Sequence, residues 1–245
     1  MLHGCSVSAG SGAEMSSLAS SNIRGVVFDL DGTLYVCDAF AALIQDSATD
    51  YITALKGISR QDADLLISAT RLRLSEESGT VQTLSAVCAE LGGSVRELHR
   101  FFEETLRPEA CLVRDERVIL LLVRLAEKFP LYIYTNNNRA LTTRIINYLG
   151  LEGLFRNIFT IDDTWVGKPD EGMLSRVLDE IGLSPAEALF VGDRYDVDLR
   201  VPEQCGCPVY LSQNLEQLLR LEELLNPTTR AGNPKSPAYP PAVRL

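Results

Sequence analysis

The chain has 245 residues, 46% of them hydrophobic and 23% charged, with a net charge of −10. This balance is typical of an ordinary soluble protein with one large or two small domains. The acidic excess argues against a nucleic-acid partner, which Lys and Arg would have to bind, and no stretch is apolar and long enough to cross a bilayer. A small phosphorylated metabolite remains a possible partner, because a bound metal can reverse the charge of a single pocket.

The two ends of the chain differ in composition from the rest. Residues 1–22 are mostly small and uncharged, and they match neither a secretory signal nor a transit peptide. Residues 226–245 are rich in Pro and polar residues. We predict flexible tails at both ends. The six cysteines are scattered, which favours free thiols and a cytoplasmic protein. We expect this protein to be either a monomer or a homodimer.

The first predicted element is a buried strand that ends in two acids. Residues 24–35 read RGVVFDLDGTLY, in which an apolar run stops at Asp29 and is followed by Asp31 and Gly32. Gly32 permits a sharp turn. Two neighbouring carboxylates repel each other unless a cation or a proton lies between them. The segment is therefore either a cation site or merely a polar strand end exposed to water.

A helical segment comes next. Residues 38–113 contain four helical periodicities, separated by breaks near Gly57, Gly79 and Gly92, and Pro108 closes the run. No strand pattern interrupts the segment. We predict a small helical cap over residues 38–113, inserted directly after the first strand.

From about residue 115, helices and short apolar strands alternate to residue 225. The predicted strands include LYIYT, NIFTID, ALFVGD and PVYLS, and the last helix is NLEQLLRLEELL. Such alternation indicates a parallel sheet covered on both faces. The predicted fold class is α/β, with a three-layer Rossmann-like core formed by residues 23–37 and 114–225 and an inserted α-helical cap.

Polar residues follow several of these strands, at the edge where open parallel sheets bind ligands. A carboxylate can attack phosphorus, a second carboxyl can act as general acid and base, and a hard cation and a lysine can neutralise phosphate charge. Each of these groups is available at the predicted edge, from Asp29, Asp31, Thr135, Asn136, Lys168, Asp193, Asp196 and Asp198.

The four motifs in this order resemble those of phosphatases of the haloacid dehalogenase (HAD) superfamily. DLDGT matches the first motif, Thr135 the second, Lys168 the third and GDRYDVD the fourth. The resemblance covers about residues 24–213, and the helical segment resembles the C1-type cap of that superfamily.

The resemblance implies a role for each matched residue. Asp29 would be the nucleophile and Asp31 the general acid and base. Mg²⁺ would be held by the Asp29 carboxylate, the Asp31 backbone carbonyl and Asp193. Phosphate would be bound by Thr135, Asn136 and Lys168. Asp198 would support the metal shell from one layer further out, although the following LRVPEQ departs from the superfamily pattern.

The resulting hypothesis is a Mg²⁺-dependent phosphatase that hydrolyses a small phosphomonoester through an aspartyl-phosphate. A phosphomutase of a sugar phosphate shares all four motifs and remains an alternative. A dehalogenase of the same superfamily is a further alternative, which Asp31 disfavours. A receiver domain would be shorter and would lack the insert, and a non-catalytic binding protein would have little need for all these groups. Nucleotidase-like and phosphoglycolate-phosphatase-like substrates both remain open.

Several other residues carry more local expectations. The cap segment RLRLSEESGT, with Arg71, Arg73, Glu76 and Glu77, is a candidate specificity loop. Tyr35 and Cys37, at the entry to the cap, are candidates to face the site. Asn137 and Asn138 are expected to be turn and N-cap residues, Trp165 to serve packing, and His99 to be partly exposed in a cap helix.

Overall fold

The computed structural model describes residues 22–225, so the predicted tails lie outside it except for Asn22. The described chain forms a five-stranded parallel sheet in the order β3-β2-β1-β4-β5. The strands are β1 (Gly25–Phe28), β2 (Leu131–Tyr134), β3 (Asn157–Phe159), β4 (Ala188–Gly192) and β5 (Val209–Leu211). The predicted α/β class with a parallel Rossmann-like sheet is confirmed.

Strand β1 lies at the centre of the sheet, between β2 and β4. Val26 is in register with Leu131 of β2, and Phe28 is in register with Val191 of β4. All four residues of β1 are buried. This explains the uninterrupted apolar run, because a strand covered on both faces needs apolar side chains in both directions.

Four helices lie between β1 and the second part of the sheet, and we call residues 38–113 the helical insert. Gly57 and Gly79 end the first two helices with positive φ angles of 65° and 70°. Ser59, Thr83 and Ser94 cap the N-termini of the second, third and fourth helices. The helices are α1 (Asp38–Lys56), α2 (Arg60–Ser78), α3 (Leu84–Glu90) and α4 (Val95–Thr105), followed by a 3₁₀ turn at Pro108–Ala110.

The remaining helices alternate with the strands. They are α5 (Glu116–Ala126), α6 (Arg139–Leu149), α7 (Glu171–Ile181), α8 (Arg200–Gln204), α9 (Leu215–Leu219) and α10 (Leu221–Leu225). Two details differ from the prediction. The segment after β4 begins with a π-helical stretch, Tyr195–Leu199, and the predicted last helix is divided into α9 and α10.

The two faces of the sheet belong to two hydrophobic clusters. Val26 and Phe28 point into one cluster, and Val27 points into the other, as the two-residue period of a strand requires. The larger cluster contains side chains of α5 and α6 and continues into the insert through residues such as Phe40 and Leu98. The insert and this face of the sheet therefore share one continuous core. Within residues 22–225, no helix has the length and apolar character needed to cross a membrane.

Candidate active site

The end of β1 places Asp29 in the interior of the protein. Its side chain is buried, and its backbone N–H donates to the carbonyl of Val191 over 2.8 Å. The chain then turns at Gly32, which has a φ of 84°. A Cβ at this position would lie 2.5 Å from Oδ2 of Asp193. Only glycine therefore permits both the turn and the close approach of Asp193.

Lys168 lies at the centre of a buried ion-pair network. Its Nζ donates to Oδ1 of Asp29 over 2.6 Å, to Oδ1 of Asp198 over 2.7 Å and to the carbonyl of Tyr134 over 2.8 Å. The loop that carries Lys168 is fixed to the end of β2 through Asn136. The Asn136 Oδ1 accepts from the backbone N–H of Lys168 over 2.6 Å, and its Nδ2 donates to the Lys168 carbonyl over 3.2 Å.

The charges in this network follow from burial and from mutual attraction. Burial raises the pKa of Asp29 to about 7, an effect that Lys168 opposes and the neighbouring Asp198 reinforces. Burial also disfavours the ammonium form of Lys168, but Asp198 and Asp29 outweigh it and hold the pKa of Lys168 above its usual value. Lys168 is therefore charged at neutral pH, and a further cation would stabilise the ionised form of Asp29.

Asp31 has different partners from Asp29. The hydroxyl of Tyr35 donates to its Oδ1, and Nδ2 of Asn137 donates to its Oδ2 over 2.6 Å. Asp31 keeps some exposed surface, yet protein atoms surround it closely enough that desolvation raises its pKa, against the effect of these two hydrogen bonds. Asp31 is thus held in a fixed position with an increased tendency to carry a proton.

Three acids form a cluster that suits a divalent cation. Carboxylate oxygens of Asp29, Asp193 and Asp198 lie within 4.8 Å of one another. Among the described residues, Oδ1 of Asp193 is buried and has no hydrogen-bond partner, and burial raises the Asp193 pKa to about 6. Such an oxygen set is what Mg²⁺ prefers in proteins. The side chain of Asp31 is not in this cluster, whereas Asp198 is a direct member of it.

Thr135 follows β2 as predicted, and its side chain is buried. Its Oγ1 accepts from the backbone N–H of Asn137 over 3.2 Å. The hydroxyl therefore shapes the turn that directs Asn137 towards Asp31. Phosphate binding by Thr135, Asn136 and Lys168 remains a prediction.

A cavity of about 400 Å³ lies between the insert and the end of the sheet. From the core it is lined by residues that include Asp31, Asn136, Asn137, Asp193 and Arg194. A second cavity of about 350 Å³ borders Cys37 and Cys111 on the connections to the insert. It contains none of the clustered acids, so the first cavity is the candidate active site.

The model of the haloacid dehalogenase-like hydrolase family matches residues 23–206. The chain belongs to this family. The match covers strands β1 to β4, the insert and every acid of the site, and it confirms the predicted superfamily.

Known proteins similar to this HAD-like hydrolase include enzymes named for phosphoryl substrates. It is 28% identical over 198 residues to a phosphoglycolate phosphatase of Yersinia pestis, covering 76% of this chain and 79% of that protein. It is also 28% identical over 177 residues to the pyrophosphatase PpaX of Bacillus pumilus, covering 71% and 76%.

Two solved structures share the fold. The 2-haloacid dehalogenase of Pseudomonas syringae pv. Tomato has a TM-score of 0.55 at 20% identity, covering 84% of this chain and 99% of that one. The HAD-hydrolase YfnB of Bacillus subtilis has a TM-score of 0.53 at 22% identity, with the same coverage.

The loop conformation predicted for the segment RLRLSEESGT of this HAD-like hydrolase is wrong, because residues 71–78 belong to helix α2. Arg73 pairs with Glu77 over 2.9 Å and with Glu90 over 2.6 Å on the exposed surface, and Arg71 donates to Gln45 over 3.1 Å. The cavity lining includes none of Arg71, Arg73, Glu76 and Glu77. Same-helix and neighbouring ion pairs explain why so many charges occur in this segment.

His99 is also placed differently from the expectation. It is buried rather than partly exposed, and its Nε2 lies 3.0 Å from the Ser85 hydroxyl. Its backbone carbonyl accepts from Nδ2 of Asn138 over 2.7 Å. Asn138 also caps α6, since its Oδ1 accepts from the N–H of Leu141 over 2.7 Å, as predicted. One asparagine thus connects the insert to the loop after β2.

Two further residues singled out from the sequence, Tyr35 and Trp165, have defined contacts in the structure. Tyr35 faces the site through Asp31, which the sequence left open. Trp165 lies under the guanidinium of Arg96, at 4.9 Å from the ring centroid, so its packing partner comes from the insert.

Proposed function

We propose that the protein is a Mg²⁺-dependent phosphatase that hydrolyses a small phosphomonoester through an aspartyl-phosphate on Asp29. One observation carries the proposal. Asp29 contacts the buried Lys168 and belongs to a three-acid cluster, while Asp31 faces the adjoining cavity with its own partners. The names of the phosphoglycolate phosphatase and pyrophosphatase relatives support phosphoryl chemistry.

In the first step, the Asp29 carboxylate attacks the phosphorus atom. A P–O bond forms to Asp29 and the ester P–O bond breaks, with its electron pair leaving on the alkoxide. Asp31 gives its proton to that alkoxide. The raised pKa of Asp31 favours the protonated form that this step needs.

In the second step, Asp31 is ionised and accepts a proton from water. The water oxygen attacks phosphorus, the bond to Asp29 breaks, and inorganic phosphate leaves. Tyr35 and Asn137 hold the Asp31 carboxylate in one position for both steps, through the hydrogen bonds already described.

Lys168 and the acidic cluster would manage the charge of the phosphate. Lys168 is buried, charged and in contact with Asp29, which supports a role for it in binding a phosphate oxygen beside the nucleophile. Mg²⁺ held by Asp29, Asp193 and Asp198 would neutralise the negative charge of substrate and acids. A dehalogenase has no leaving alkoxide to protonate, so Asp31 favours the phosphatase.

The test is a steady-state assay of p-nitrophenyl phosphate with Mg²⁺ and with excess chelator. Chelator should abolish turnover, and renewed Mg²⁺ should restore it. Asp29→Asn should lower kcat by roughly 10⁴-fold or more, as expected for loss of a nucleophile. Asp179→Asn makes the same chemical change on the exposed face of α7 and should leave kcat unchanged. Normal turnover by Asp29→Asn, or full activity in chelator, would contradict the proposal.

A further inference from the structure

The active-site cavity has two unlike walls. The core wall is polar and carries Asp31, Asn136, Asn137, Asp193 and Arg194. The insert wall opposite it is largely apolar, with contributions from Phe40, Ala41, Ile44 and Phe102. In a phosphatase the core wall faces the phosphate, so the insert wall faces the group to which the phosphate is attached.

Besides the acid Asp38, the insert wall carries the polar side chains of Thr83, Ser85 and His99, and among the described residues Nδ1 of His99 is buried without a hydrogen-bond partner. Thr83 caps α3 by accepting from the N–H of Ala86 over 3.3 Å. Ser85 and the Nε2 of His99 contact each other over 3.0 Å. Burial lowers the pKa of His99 to about 4, so its imidazole is uncharged at neutral pH. These three residues can exchange hydrogen bonds with a substrate but offer it no positive charge.

The charged groups of the cavity do not favour a second anion. The lining residue of the insert that carries a charge is Asp38, an acid. Among the described residues that line the cavity, the cationic one is Arg194, on the core wall. Its Nε lies 3.8 Å from Oδ1 of Asp193 and 3.8 Å from Oδ2 of Asp198. Arg194 therefore lies beside acids of the core that attract it, and the insert wall itself contributes no cation to the described lining.

We propose that the preferred substrate is a phosphate ester of an uncharged, partly apolar alcohol that carries a hydrogen-bonding group. This inference rests on the phosphatase function proposed above and names the substrate class. The apolar part would contact Phe40, Ile44 and Phe102, and the polar group would reach Thr83, Ser85 or His99. A leaving group with its own carboxylate would lose water without gaining a cationic partner on the insert wall, which is costly. Phosphoglycolate is therefore a poor substrate, unlike what the names of several relatives would indicate.

The experiment compares phosphoglycolate with its neutral amide, phosphoglycolamide, in the full-length enzyme with Mg²⁺. The two esters have nearly the same shape and differ in one charge. The kcat/KM of the amide should be roughly 30-fold higher or more, on the scale of leaving a buried charge without its partner. Benzyl phosphate should also exceed methyl phosphate, because its ring can contact the insert wall. A higher kcat/KM for phosphoglycolate than for the amide would overturn the inference.

A charge-introducing variant tests which wall sets this preference. Ala41 is an exposed residue of α1 that lines the cavity, so a longer side chain there should not disturb the core. Ala41→Arg should raise the kcat/KM ratio of phosphoglycolate to the amide by about tenfold or more. Ala41→Gln adds length without charge and should keep the wild-type ratio. Ile44→Arg supplies a second position on the same wall.

The outcomes separate the two proposals. If p-nitrophenyl phosphate is hydrolysed with Mg²⁺ but neither arginine variant changes the ratio, the cavity does not hold the leaving group and only this inference fails. If no ester, including p-nitrophenyl phosphate, is hydrolysed with Mg²⁺, the phosphatase function itself is wrong and this inference falls with it.

Discussion

Replacing Lys168 by Met should destabilise the metal-free protein strongly. The change keeps the length of the side chain but removes the charge that lies 2.6 Å from Asp29 and 2.7 Å from Asp198. At an effective dielectric constant of about 20, each contact corresponds to roughly 6 kcal/mol of attraction. Most of this is offset by the cost of burying the charges. Removing one partner of a buried pair typically costs about 3–5 kcal/mol, and we expect that loss in the free energy of unfolding at pH 8.

Urea denaturation in chelator, with the double-mutant cycle of Lys168→Met and Asp198→Asn, measures this coupling. The double variant should be more stable than the sum of the single losses predicts, by about 1–3 kcal/mol, because Asp198→Asn removes an acid that Lys168→Met leaves unpaired. The dependence of the unfolding free energy on urea should be the same in all four proteins. A loss below about 1 kcal/mol for Lys168→Met, or strictly additive losses, would refute the view that Lys168 compensates these acids.

Three further predictions concern the site and its connection to the insert. In chelator, the free energy of unfolding should fall as pH rises from about 4 to about 7. The reason is that the folded protein retains protons on Asp29, with a pKa of about 7, and on Asp193, with a pKa of about 6. The unfolded chain, in which the usual pKa is 3.8, releases these protons. Urea midpoints that do not change over this range would contradict the pKa shifts. At pH 8, Mg²⁺ should raise the Tm by a few degrees, roughly as 1 kcal/mol of binding energy would, and Asp193→Asn should lose this response. Asn138→Ala should lower the free energy of unfolding by about 1–3 kcal/mol, because it removes both the α6 cap and the hydrogen bond to the His99 carbonyl. As a control, Asn147→Ala on the exposed face of α6 should change the free energy of unfolding by less than about 0.5 kcal/mol.

The fold was largely predictable because its local signals agree with one another. The apolar run at residues 26–28 marks a strand covered on both faces, and Gly57, Gly79 and Gly150 end helices in the left-handed conformation that glycine favours. The π-helical stretch after β4 was not predictable from periodicity. It is accompanied by a hydrogen bond from the N–H of Arg194 to the Asp198 carboxylate, which a pattern of apolar residues does not report.

The catalytic side of the site was predictable for a different reason. Asp29, Asp31 and Asp193 each follow a strand, and parallel strands bring their carboxyl ends to one edge. The insert side was not predictable. The burial of His99 depends on how α4 packs on the core, and the charges of residues 71–77 look like a binding segment until their ion pairs on the insert surface are known. Such contacts join residues from separate elements, and composition alone does not identify them.

The central position of β1 has a consequence for how the chain folds during synthesis. Val26 pairs with Leu131 and Phe28 pairs with Val191, so the central strand is paired on both sides only after these later residues have been synthesised. Residues 38–113, in contrast, are continuous and contact one another extensively within the insert. As the chain leaves the ribosome, all residues of the insert are therefore available to one another while the nucleophile-bearing strand still lacks both neighbours. Such non-local pairing is slow and leaves apolar edges open to aggregation, so chains interrupted before β4 should be favoured targets of chaperones and proteases.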